Sequence, residues 1–173
     1  MAGLSKNHFY YGAILAAIIE YNPDTALVLL EQTDARNVYK IQTNTSQECT
    51  IFFKYASGKN NHWQFNFSAD DRRFLEEEYK KKTPTFIYLL CAKEKLRKSE
   101  IVVLNYDEYK QIPNNSYLYV TLADRGHYFS VSNLQIRRNR LKQTFDDLIK
   151  ETVEKSKGYY CPKCGEKITK LNL

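Results

Sequence analysis

The chain has 173 residues, 43% of them apolar, enough for one domain whose core holds without disulfide staples. No apolar run reaches the roughly eighteen residues of a membrane-spanning helix, and Met1 to Asn7 lacks the regions of a secretion signal, so the expected location is the cytoplasm. A net charge of +6 admits an anionic partner without requiring one, so the placement of the cations matters more than their number.

Residues 8–21 carry apolar side chains at Phe9, Ala13, Ala16, Ala17 and Ile19/Tyr21, a helical rhythm. Asn22-Pro23 ends it, because proline cannot continue the hydrogen-bond ladder. Residues 26–30 and 38–42 flank a turn-like stretch and predict a first hairpin, with a short helix over the first run as the alternative. Residues 49–55 and 63–67 flank the turn cluster 57–61 and predict a second hairpin. In its second strand Trp63, Phe65 and Phe67 alternate with Gln64 and Asn66, so one face is buried.

Ser68 caps a helix through Phe74, Leu75 and Tyr79, whose acidic start and closing lysines suit the helix dipole. Residues 86–91 are wholly apolar and predict a central strand. Residues 101–104 predict another strand, and 107–112 a short helix ended by Pro113. Residues 117–122 and 128–131 predict a last hairpin. Asn133 opens an expected long helix to about residue 155, with Leu141, Phe145, Leu148 and Ile149 on one stripe. The expected class is α+β: an N-terminal helix, a mostly antiparallel central sheet of hairpins with flanking helices, a long C-terminal helix and a short zinc-knuckle-like tail. Residues 1–133 form the α+β domain, 134–156 a helix packed on it or dimerising, and 157–173 the tail. Cys49 and Cys91, in apolar stretches, read as buried free thiols.

Cys161 and Cys164 have the two-residue spacing of a zinc knuckle, and zinc takes four ligands in a tetrahedron. The nine residues after Cys164 contain neither Cys nor His. The missing ligands therefore come from nowhere, leaving a vestigial knuckle without metal, from the chain's own body, where Cys49, His62 and His127 are candidates, or from a second copy. In the latter case two identical pairs meet on a twofold axis and make a homodimer.

Arg137, Arg138, Arg140 and Lys142 open the expected C-terminal helix while Asp146, Asp147, Glu151 and Glu154 follow, the reverse of what a helix dipole prefers. That order calls for a compensating anion, either the phosphates of DNA or RNA or the acidic helix around residues 76–78. Lys59 and Lys163 complete the expected nucleic-acid-binding set. Of the fourteen tyrosines only Tyr159 and Tyr160 are expected to stack on bases, the rest fitting strand faces and the core.

A lysine, Lys54, ends the hydrophobic strand Ile51-Phe52-Phe53-Lys54-Tyr55, which follows a helix and a hairpin and precedes the Trp63-to-Phe67 strand and a helix. Over residues 9–104 this order resembles the PD-(D/E)xK restriction-endonuclease-like fold. The resemblance implies a divalent metal held by an Asp and by an acidic residue two before the lysine, with the lysine orienting the attacking water. Lys54 matches that lysine, but Phe52 stands at the acidic position and offers magnesium no oxygen. Glu20, Glu31 and Asp34 are the carboxylates left to complete a catalytic set. The expected function is nucleic-acid binding on a catalytically degenerate fold. The alternatives are a magnesium-dependent nuclease, and a protein-binding adaptor or inhibitor in bacterial or phage defence.

Overall fold

Whether a strand shows polar residues on neither face or on one decides where it sits in this fold. The computed structural model describes residues 6–23, 26–28, 38–42, 47–123 and 126–156. In chain order these form α1 (Lys6–Tyr21), β1 (Ala26–Val28), β2 (Val38–Gln42), β3 (Glu48–Ser57), β4 (His62–Asn66), α2 (Ala69–Lys80), β5 (Thr85–Ala92), β6 (Glu100–Asn105), α3 (Tyr106–Lys110), β7 (Tyr117–Leu122), β8 (Tyr128–Val131), β9 (Leu134–Arg137) and α4 (Phe145–Ser156). Short 3₁₀ turns occupy Leu96–Lys98 and Arg138–Lys142.

β5 is buried along its whole length, and β3 from Cys49 to Phe53, so both need cover on two faces and neighbours on two edges. They lie at the centre of a five-stranded sheet ordered β1-β2-β3-β5-β6. β3 and β5 run parallel, with Thr50 beside Thr85 and Ser57 beside Ala92, and the other pairs are antiparallel. β4, β7, β8 and β9 each alternate buried with more exposed residues and form a second, antiparallel sheet of four strands.

Each face of the first sheet carries a core. On one side Ile14 and Ile18 of α1 and Phe145, Leu148 and Ile149 of α4 cover Ile51, Phe53, Phe86 and Tyr88. On the other, Phe52, Ile87, Leu89 and Leu104 pack on Trp63, Phe65, Leu118, Val120 and Phe129 of the second sheet, beside Leu75 of α2 and Tyr109 of α3. Fully burying one such side chain contributes about 1.5–3 kcal/mol. The layers are helices, sheet, then sheet with helices, an α+β arrangement. No helix among the described residues is long and apolar enough to cross a membrane.

Several expectations are corrected. Strands β3 and β4 do not form a hairpin, because β3 is apolar on both faces and β4 on one, so β4 leaves to cover β3 from the next layer. The departure is at Gly58, where an added Cβ would stand 2.0 Å from the His62 carbonyl oxygen and 2.4 Å from the Trp63 ring. The long helix expected over 134–156 is instead β9, a 3₁₀ turn and the twelve-residue α4. Leu134-Gln135-Ile136-Arg137 alternates with period two and pairs with β8. Helix α1 buries Ile14 and Ile18, while Phe9 and Ile19, two residues of its helical rhythm, are 61% and 52% exposed. A helix apolar nearly all round does not itself choose its inner face. The zinc-knuckle tail lies outside the described residues.

Candidate nucleic-acid interface

Lys54 is pinned rather than poised. Its Nζ donates to Asp71 Oδ2 at 2.6 Å and lies 5.7 and 5.6 Å from the ring centres of Phe52 and Phe67. Asp71 belongs to the capping box of α2, where Ser68 N–H donates to the same carboxylate oxygen at 2.8 Å and Ser68 Oγ accepts from Asp71 N–H. At the other end of the helix buried Glu78 accepts from Thr50 at 2.8 Å and from Lys81 at 2.6 Å. Burial pushes the Glu78 carboxyl up, but the Lys81 and Thr50 hydrogen bonds with the charges of Lys81 and Lys40 outweigh it and hold it below its ordinary value. Four strand residues span about 13 Å and seven helical residues about 10.5 Å. Thr50 and Lys54 thus match Glu78 and Asp71 as two pins that lay α2 antiparallel along β3.

The position where the resemblance would put an acid is Phe52, 1% exposed and stacked on Phe67 and Phe74. Glu20 is exposed in the last turn of α1, whereas Glu31 and Asp34 lie outside the described residues. Among the described residues no group of three His, Cys, Asp or Glu side chains gathers to hold a metal ion. A hard divalent cation therefore does not fit the described part of the Lys54 neighbourhood. Cys49 and Cys91 are buried free thiols, as expected. Burial, then the charge of Asp146, pushes the Cys49 thiol up to about 12. His62 projects outward from β4 and His127 lines a cleft described below. Cys161, Cys164 and Lys163 lie outside the described residues, as do Tyr159 and Tyr160.

The four cations expected at the start of one helix are split by the fold. Arg140 is 5% exposed and reaches Glu108 at 2.5 Å, Glu151 at 3.5 Å and the Val103 carbonyl at 3.3 Å, so it is a core ion pair and not a surface contact. Arg138 forks onto Glu100. Both pairings are with acids of β6, α3 and α4, not with the 76–78 helix that the sequence offered. The dipole argument also lapses, since α4 begins at Phe145 with Asp146 and Asp147 in its first turn, the favourable order.

Arg137 and Lys142 remain at the surface, and Arg97, not among the expected residues, joins them. These three and Arg138 line an open cleft of about 960 Å³ between the end of α1, the start of β6 and the β8–β9 hairpin, together with Glu20, Glu100, His127 and Tyr128. No ion pair engages Arg97, Arg137 or Lys142 among the described residues. Lys59 is exposed in the β3–β4 turn and lines a separate hollow with Lys93. That hollow lies at the same end of the second sheet as Arg137, because Asn61 meets Leu122, Leu122 pairs with Phe129, and Phe129 pairs with Ile136.

The outer face of the second sheet was not expected to matter. Leu118, Val120 and Leu122 turn into the core, so Tyr117 and Tyr119 turn out, 45% and 56% exposed, and Tyr128 on β8 is 48% exposed. Gln64 and Asn66 stand beside Tyr119 and Tyr117, and Arg137 beside Tyr128. The alternation already used to bury one face of residues 63–67 would have found these tyrosines.

No family model matches the chain, and no curated protein matches it. Among solved structures, the crystal structure of the Legionella pneumophila effector protein RavZ is 12% identical over 91% of this chain and 46% of that chain, with a TM-score of 0.25. The chain spans less than half the length of that effector, and a likeness of this size carries no argument about fold or function.

Proposed function

We propose that this chain binds nucleic acid, holding the phosphate backbone in the cleft between α1, β6 and the β8–β9 hairpin, without cleaving it through a metal site at Lys54. The observation that carries the reading is the charge left over in that cleft. Arg97, Arg137 and Lys142 have no ion pair among the described residues, while Glu100 is already taken by Arg138. Unpaired cations in a concave surface focus a positive potential and attract a polyanion.

The restriction-endonuclease-like resemblance belongs to the same reading. Its support is the succession of α1, the β1–β3 meander, α2 and a fifth strand parallel to β3, although Lys54 lies inside β3 with three strand residues after it. The nuclease chemistry of that family lacks support at Lys54, whose charge is committed to Asp71. Zinc between the Cys161–Cys164 pairs of two chains, and hence a homodimer, rests on cysteine spacing alone. A cytoplasmic setting is in keeping with two buried cysteines left as free thiols.

The test is a salt titration of binding to a labelled single strand by fluorescence anisotropy, between about 50 and 200 mM salt. Three phosphate contacts give a slope of log K against log salt near −2, at about −0.7 per contact. Arg137→Ala and Lys142→Ala each remove about 0.7 of it. Absence of saturable binding at low salt, or a slope that neither substitution moves, would overturn the proposal.

A further inference from the structure

We propose that the outward face of the second sheet is a stacking platform for the bases of a single-stranded nucleic acid. This rests on the cleft reading above and gives it a strand preference. Tyr117 and Tyr119 project from β7 on the same side, two residues and about 7 Å apart, and Tyr128 stands on β8 where that face meets the cleft. From Tyr117 to the level of Tyr128 the sheet runs about 20 Å, long enough for several unstacked nucleotides.

The charge of the face selects the occupant. The outward residues of β4, β7, β8 and β9 include amides, hydroxyls, His62 and Arg137, and none is Asp or Glu. Arg137 belongs to both surfaces, lining the cleft and pairing in register with Tyr128. A backbone held by Arg97, Arg137 and Lys142 therefore delivers its bases onto Tyr128 first and the β7 tyrosines beyond. Tyrosine with amide side chains also suits protein recognition, but a single strand, with a phosphate and a planar base on every unit, uses the adjoining cations and the exposed rings together. A duplex hides its base faces in its own stack, whereas a single strand offers each base to a ring. The neighbouring Gln64 and Asn66 supply donors and acceptors for base edges without imposing one sequence.

The experiment compares three labelled probes on the full chain: a deoxythymidine strand of about twelve nucleotides, an abasic strand of the same length, and a duplex. The expected result is that Tyr119→Ala and Tyr128→Ala each weaken the deoxythymidine strand between about fivefold and a hundredfold. Tyr119→Ala moves neither the abasic strand nor the duplex, and Tyr119→Phe, which keeps the ring, binds like the native chain. If the alanine variants hold the deoxythymidine strand as tightly as the native chain while Arg137→Ala loses it, the platform is refuted and the cleft stands. If the native chain binds none of the probes, both fall. A protein target whose capture needs the tyrosines, with the strand affinity unchanged by their loss, also refutes the platform.

Discussion

Replacing Lys54 with methionine keeps an unbranched stem and deletes the ammonium, so the loss is the charge set 2.6 Å from Asp71 and over the rings of Phe52 and Phe67. The two side chains are 22% and 15% exposed, which places the pair between two regimes. Exposed pairs are worth about 0–1 kcal/mol. Breaking a fully buried pair costs about 3–5 kcal/mol. A charge-assisted hydrogen bond contributes about 1.5–3 kcal/mol, and Asp71 keeps the Ser68 N–H after the change, so it is not orphaned. The expected loss is about 2 kcal/mol, or about 4–8 °C in melting temperature for a chain of this size.

Trp63, the single tryptophan, is 3% exposed with its indole N–H on the Ala92 carbonyl, and its fluorescence reports urea unfolding. A double-mutant cycle with Asp71→Asn should return a coupling of about 1–2 kcal/mol. Stability within about 0.5 kcal/mol of the native chain, together with disappearance of a magnesium-dependent cleavage of nucleic acid, would show that Lys54 works in catalysis and that its role as a pin for α2 is mistaken.

Arg140→Ala removes a buried cation from Glu108 and Glu151 and should cost about 3 kcal/mol or more by urea unfolding. Strand affinity per folded molecule should stay unchanged, in contrast to Arg137→Ala. Gly58→Ala drives a Cβ into the His62 carbonyl and the Trp63 ring, so a loss of about 1–3 kcal/mol and an altered Trp63 emission are expected. At alkaline pH, burial, then the charges of Tyr55, Asp71 and Tyr39, pushes the Tyr11 hydroxyl from 10.0 up to about 12. The folded chain holds that proton more tightly than the unfolded one. The contribution is whole below about pH 10 and is lost as pH rises through the folded value. Cys49 acts in the same direction from 9.0 upward. Urea midpoints should fall between about pH 8 and about pH 11, and Tyr11→Phe should flatten part of that fall.

Local chemistry was readable in the sequence, and pairing at a distance was not. Ser68 and Asp71 lie within one turn, so the start of α2 follows from the letters alone. The unbroken apolar run of β5 likewise announces a strand covered on both sides. By contrast, the partner of Arg140 is Glu108, which no helical or strand period links to it. Asn133 resembles a cap and so marks β9 as the opening of a helix, although Leu134-Gln135-Ile136-Arg137 alternates. Four residues do not fix a period until β8 supplies the hydrogen bonds. The division into two sheets was present in the contrast between a two-sided β3 and a one-sided β4, but the turn cluster between them suggested a hairpin. Residue type alone sends the tyrosines of β7 to strand faces and the core, where alternation with Leu118, Val120 and Leu122 turns them outward.

Photocrosslinking of a single strand carrying 5-bromouracil to the full chain, followed by mass spectrometry of the peptides, asks directly where nucleic acid lies. Adducts are expected on peptides containing Tyr128 and Arg137 and on the β7 peptide with Tyr117 and Tyr119. They should fade as salt rises. Adducts confined to the surroundings of Lys54 or to residues 157–173, at strand concentrations that saturate binding, would contradict both the cleft and the platform.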